Sequence, residues 1–203
     1  DKGVLSLGAG YNVGLLGQIR AGWRQTWLST DLSTGVATSH FPDKTSESFG
    51  SLYAGFDFDQ MDRLYFPTSG WSSRLAYFYA PAENYSKVVA NAVGAHSFKD
   101  YVINAKLSYQ GSLSGDLPAY DAGTLGGFNN LSGYTANQLV GDDITYGSVR
   151  VEKIIGRMPM GLRGDMRLGV ALEAGKVGKP YTETELNGWI TSGAVYVGGE
   201  TPL

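Results

Sequence analysis

Apolar and polar side chains alternate one by one along most of this chain, over runs that are long for strands. In Gln18 to Thr30, Ile19, Ala21, Trp23 and Trp27 fall on one face, and Arg20, Gly22, Arg24 and Thr26 on the other. Leu52, Ala54, Phe56 and Phe58 oppose Ser51, Tyr53, Gly55, Asp57 and Asp59. Tyr101, Ile103, Ala105, Leu107 and Tyr109 oppose Asn104, Lys106, Ser108 and Gln110, and Leu162, Met166, Leu168, Val170 and Leu172 oppose Arg163, Asp165, Arg167 and Glu173. A period of two means strands with two unlike faces. The spacing predicts about ten strands near 3–13, 18–30, 34–41, 49–61, 70–80, 87–98, 101–112, 143–155, 162–174 and 189–198. Most exceed the ~5–6 residues of a soluble strand and approach the ~9–11 of a tilted membrane strand.

The apolar faces end in aromatics (Tyr11, Trp23, Trp27, Trp71, Tyr77, Tyr79, Tyr101, Tyr109, Trp189), while the opposite faces carry both signs of charge. A barrel in lipid with a wet lumen predicts that combination. Of 203 residues 42% are hydrophobic, yet no run approaches the ~20 apolar residues of a membrane helix. Only helices and closed barrels satisfy the backbone in hydrocarbon, so a membrane reading must be a barrel. A soluble β-sandwich also alternates and is the rival on pattern alone. The connections read as short turns at 31–35, 66–70, 99–100 and 157–161, with longer loops at the other rim; Gly14–Gly17 is short but falls on the long-loop side. The longest connection, Leu113 to Asp142, is rich in Gly, Asn and Tyr, and loops of that length are usually functional.

Chemistry is scarce. There is no Cys, so no disulfide framework and no thiolate site. The two histidines, His40 and His96, are too few for zinc. Asp57, Asp59 and Asp62 lack the rest of a calcium loop. Gly111-Ser-Leu-Ser-Gly115 puts Leu113 where a nucleophile elbow needs Ser, and Gly8-Ala-Gly10 lacks the third dinucleotide glycine. A net charge of −3 with scattered cations gives no nucleic-acid footprint. The expectation is no catalytic residue, no metal and no cofactor, with outer-membrane lipid as the partner.

Three segments resemble one family. Asp62-Arg-Leu-Tyr-Phe-Pro-Thr-Ser-Gly-Trp71 is similar to the D-x-x-x-FPTxG turn of the bacterial surface-antigen barrels, the Omp85 superfamily. Leu125-Gly-Gly-Phe-Asn-Asn-Leu-Ser-Gly-Tyr134 resembles its long sixth extracellular loop, and Val149 to Glu152 through Leu168 to Gly175 the strand pair that follows. The resemblance covers nearly the whole chain. It implies an all-β antiparallel transmembrane barrel in the bacterial outer membrane, with about ten of sixteen strands present. Residues 1–203 then form a partial barrel domain with loop 113–142 inserted in the lumen.

The resemblance also implies candidate sites. Gly126, Gly127, Phe128, Leu131, Ser132, Gly133 and Tyr134 would form the tucked loop tip. Arg150, Glu152, Arg163, Asp165 and Arg167 would line the wall, with Glu152 and Asp165 the favoured partners of the loop. Asp62, Phe66, Pro67, Thr68 and Gly70 would form the periplasmic turn, with Asp62 stabilising it. Ser132 stands where most of the superfamily has Arg; the Leu-Ser-Gly-Tyr tip resembles the branch whose barrel follows a patatin-like lipid hydrolase. The leading expectation is therefore a non-enzymatic barrel that anchors an N-terminal passenger of that kind, with its passage across the membrane as a further role. The alternative is an assembly or secretion barrel preceded by periplasmic domains; a passive porin ranks lower.

Overall fold

The computed structural model describes residues 2–31, 42–63, 66–158, 164–181 and 188–199. They form one antiparallel sheet of β1 (Lys2–Val13), β2 (Gly17–Asp31), β3 (Lys44–Asp59), β4 (Gly70–Ala80), β5 (Tyr85–Phe98), β6 (Tyr101–Ser114), β7 (Gly123–Leu125), β8 (Leu139–Arg157), β9 (Asp165–Pro180) and β10 (Ile190–Gly199). The wall runs in sequence order from β1 to β10 without β7, which pairs with β8 from inside the loop. The sheet is open: β1 and β10 are its edges.

The register makes the alternation continuous across strands. Leu7, Trp23, Leu52 and Tyr79 lie side by side; so do Tyr11, Ile19, Phe56, Leu75, Ala90 and Tyr109, and Ile103, Val151, Val170 and Val195. Among the described residues no second sheet covers this face. Leu7 is 79% exposed and Val195 74%. A patch of this extent is not a surface for water, and the β-sandwich reading fails on it. With wall strands of 10 to 19 residues, the face suits hydrocarbon. His96 sits on this apolar face opposite Ile103.

One expected strand is corrected. Residues 34–41 lie outside the described residues, but β2 and β3 pair directly, Gly17–Asp31 against Lys44–Phe58, so no wall strand stands between them. Longer pairing is the reason: β3 starts at Lys44 rather than 49, because each added residue brings backbone bonds that lipid would not supply. The wall therefore has nine strands, with β7 a tenth strand off it. Strand order also sets the two rims. The connections β1–β2, β3–β4, β5–β6 and β8–β9 leave from one rim; β2–β3, β4–β5, β6–β8 and β9–β10 leave from the other. The 14–16 turn thus belongs with the short turns, and β2 and β3 meet at the opposite rim, Asp31 opposite Lys44.

The lipid-facing assignment predicts that Val170→Arg, amid the apolar rows, costs on the order of 2–4 kcal/mol. Arg at Ser72, on the opposite face beside Asp59, should cost far less. Folded fraction in lipid vesicles, read by heat-modifiable gel mobility, checks the contrast.

Candidate functional site

The opposite face is largely occupied by the connection between β6 and β8. The chain leaves β6, adds β7 as a short ladder against β8 (Gly123 opposite Gly141, Leu125 opposite Leu139), and then winds into a compact tip. Within the tip the Gly126 amide donates to the Asn130 carbonyl at 2.7 Å and Gly127 to Tyr134 at 2.9 Å, while the Asn129 amide donates to Ser132 Oγ at 3.2 Å. Gly126 has φ +121°, and a side chain there would run into the Thr135 carbonyl oxygen. Leu131 sits at φ +80°, a region costing a non-glycine residue about 1–3 kcal/mol. It is held there because it is fully buried among Leu125, Leu139, Ile144 and Tyr146, with Tyr134, Val177 and Ile190 around them. Burial of one leucine contributes about 1.5–3 kcal/mol, so packing offsets the strain.

Glu173 of β9 is the hub beneath the tip. It accepts the Ser132 amide at 2.6 Å and the Ser192 hydroxyl at 2.7 Å on one oxygen, and the Tyr146 hydroxyl at 2.7 Å on the other. Lys106 Nζ donates to the Asn129 carbonyl at 3.2 Å, and a Cβ on Gly133 would stand 3.3 Å from Ser192 Cβ. Two more acids fasten the rest of the loop. Asp121 pairs with Lys87 at 2.9 Å and accepts from Tyr85 at 2.7 Å. Its carbonyl accepts from Gln110 at 2.8 Å. Asp142 is fully buried; it accepts the Leu117 amide and the Tyr181 hydroxyl, both at 2.7 Å, and faces Lys179 at 3.2 Å.

The turn at the other rim reaches the same face. Asp62 accepts the Thr68 amide at 2.8 Å, the Ser69 amide at 3.1 Å and the Thr68 hydroxyl. Gly70 closes the turn at φ +107°, where a side chain would strike the Gln60 carbonyl. Pro67 is buried. The Phe66 carbonyl accepts from Arg167 Nη2 at 3.2 Å, and the Arg167 guanidinium lies 5.5 Å from the Phe66 ring centre. A turn between β3 and β4 thus touches β9, so the face is concave. Arg167 also donates to Glu152 at 2.9 Å, both side chains 1% exposed, and Glu152 accepts the Tyr196 hydroxyl at 2.7 Å. Phe128 of the loop tip packs edge-on against Tyr196 at 5.0 Å. Phe66, Arg167, Glu152, Tyr196 and Phe128 therefore form one chain of contacts between connections from opposite rims.

Several expected wall residues take other roles. Glu152 and Asp165 do not hold the loop: Glu152 serves Arg167 and Tyr196, and Asp165 faces Arg63 at 3.8 Å. The register decides this, placing Glu173, six residues further along β9 than Arg167, beneath Ser132. Arg150 lies 3.9 Å from Glu152. Arg163 lies outside the described residues, as does His40. Asp121, Ser192 and Tyr196 went unread in the sequence. Asp121 had a signal, being the one charged residue between Leu117 and Gly141; Ser192 and Tyr196 had none. Among the described residues no group of three His, Cys, Asp or Glu converges as a metal site would require.

Glu173→Ala should free the tip: the buried Tyr146 hydroxyl loses its acceptor, at about 1–3 kcal/mol, and the partly buried Ser132 and Ser192 donors lose theirs at less. The expected outcome is new protease cleavage within 115–138 and a lower unfolding midpoint, with Glu173→Gln milder because one acceptor oxygen remains. At the turn, partial burial raises the Asp62 pKa, but the Thr68 hydroxyl and the Ser69 and Thr68 amides outweigh it and hold the carboxyl below the usual range. A lowered native pKa stabilises fully above the unfolded value of about 3.9 and is lost as pH falls through the native one. Wild type should therefore lose more stability than Asp62→Asn on acidification below about pH 4, read as melting temperature against pH.

Residues 6–175 match the Omp85 superfamily domain. A solved structure of BamA from Haemophilus ducreyi lacking POTRA domains 1–3 superposes with a TM-score of 0.65 and 17% identity, covering 88% of this chain and 41% of that one. That likeness shows the fold alone, and the chain spans less than half the length of that structure. No curated protein sequence matches. Neither match singles out the patatin-bearing branch. The domain match covers most of the chain and agrees with an apolar outer face and a loop-filled concave one: the chain belongs to the Omp85 superfamily, and its place is the bacterial outer membrane as β-barrel wall.

Proposed function

We propose that this barrel handles polypeptide at the outer membrane, as an assembly or secretion barrel, and does not serve as an open pore for small solutes. The observation that supports it most is the clamped loop. Residues 115–138 are tied to the concave face by Glu173, Asp121 and Asp142 and by the Leu125–Leu131–Leu139 cluster. A passive channel needs a clear lumen, whereas these anchors would keep it filled. Omp85 membership supports polypeptide as the cargo.

A second reading makes the barrel the anchor of a patatin-like lipid-hydrolase passenger on the same chain. Ser132 favours it: the tip docks through the Ser132 backbone amide on Glu173 and not through an arginine side chain. Depletion of the whole natural protein from its own cells separates the readings. Loss of other outer-membrane proteins, or periplasmic build-up of a secreted one, is expected under the first. An unchanged outer-membrane proteome with loss of surface lipid hydrolysis would replace it with the second. Large, steady single-channel conductance of the purified protein, unaffected by deletion of 115–138, would refute both in favour of a porin.

A further inference from the structure

Among the described residues, the loop leaves half of the concave face bare. Its anchors fall on β5 to β10, apart from packing of Leu117 and Tyr120 with Phe49 and Ala80. On the part of β2 to β4 that no described residue covers, three guanidiniums stand with two carboxylates, Asp57 and Asp59. Asp57 accepts from both Arg20 and Arg74. Arg24 has no carboxylate partner among the described residues, and its Nε is buried without a hydrogen bond. Its guanidinium lies 4.7 Å from the Phe78 ring centre and 5.8 Å from that of Tyr53. Arg20 and Arg74 remain 48% and 64% exposed despite Asp57. Two adjoining hollows of about 370 Å³ each meet at Arg20, Asp57 and Arg74, and the first extends along the strands to Arg24.

The charges are spread along the strand direction. Arg20 and Arg24 share a face of β2 four residues apart, about 13 Å at ~3.4 Å per residue. Arg74 lies opposite Asp57, just beyond the level of Arg20, which lies opposite Gly55. A lone phosphate or carboxylate can meet one end of this track and not both. An extended peptide repeats its side chains on one face every two residues, so acids at every second position match both ends. Guanidiniums suit carboxylates through paired N–H donors, and aromatic faces that hold Arg24 reduce the ordering cost.

We propose that the Arg24–Arg20–Arg74 track on β2 to β4 is a binding site for an acidic, extended polypeptide segment. That the occupant is polypeptide rests on the role proposed above; the charge excess does not.

The test uses the full natural protein in lipid nanodiscs and three fluorescein-labelled peptides of alternating Glu-Ser, Gln-Ser and Lys-Ser, followed by anisotropy. Only the Glu-Ser peptide should bind, and more weakly as salt rises. Arg24→Gln with Arg74→Gln should weaken it on the order of tenfold or more, with heat-modifiable mobility unchanged. If that double variant does not fold, Arg24→Gln alone should weaken binding and Arg24→Lys should restore part of it. Equal binding of the Gln-Ser peptide, wild-type affinity in a folded Arg24→Gln variant, or full displacement by millimolar inorganic phosphate would overturn the proposal. A depletion phenotype without peptide binding removes this site and leaves the polypeptide-handling role; peptide binding without the phenotype does the reverse.

Discussion

Hydrocarbon offers the backbone no hydrogen-bond partner, and that constraint shapes the rest of this molecule. An unpaired amide or carbonyl in the apolar layer costs several kcal/mol, so each strand must be matched along its length by its neighbours. The register meets this demand: β2 and β3 pair over fifteen consecutive positions and β4 and β5 over eleven. Once the sheet is continuous, strict alternation follows. Every residue that turns Leu7, Trp23 or Val170 toward lipid turns its neighbour inward, and the inward set must then be compatible with a confined, partly wet space.

That inner space is where the energetic tension lies. The Arg167–Glu152 pair is removed from solvent, and the desolvation of two charges can exceed their attraction unless further bonds satisfy them. Here the Phe66 carbonyl and the Tyr196 hydroxyl supply those bonds, although Arg167 Nε is left without a partner, as are Asn104 Nδ2 and Oδ1. At Glu173 the balance is cleaner: one carboxylate takes three donors, a backbone amide and two hydroxyls, at 2.6–2.7 Å. Directional bonds fix the loop's position, while Leu125, Leu131 and Leu139 provide the burial that holds Leu131 in an unfavourable backbone region.

The two halves of the concave face therefore differ in physical character. The half on β5 to β10 is filled by the chain's own loop, with acids matched to amides, hydroxyls and lysines. The half on β2 to β4 is left open by the described residues, and its two hollows hold three guanidiniums to two carboxylates. A continuous belt outside, a plug on one side and a basic track on the other make a wall with an interior divided between internal bracing and available surface.

Much of the architecture was legible in sequence because a period of two and a lipid environment constrain the same thing, the face of each residue. Nine strands, their facing, the Asp62 turn and the folded-back loop are all local or periodic properties, readable from patterns such as Ile19-Ala21-Trp23 and from the glycines at 126 and 127. Residues 34–41 were read as a wall strand because a short alternating run carries no mark of its pairing partner; the direct pairing of β2 with β3 leaves no place in the wall between them. Contact partners across the sheet were equally out of reach. Nothing in the linear order says that Ser132 lies over Glu173 rather than Glu152, or that Phe66 meets Arg167 across 101 residues. Facing depends on each strand's own parity and was written in the sequence; partnership depends on strand register and sheet curvature, which arise only when distant strands align and close around the loop.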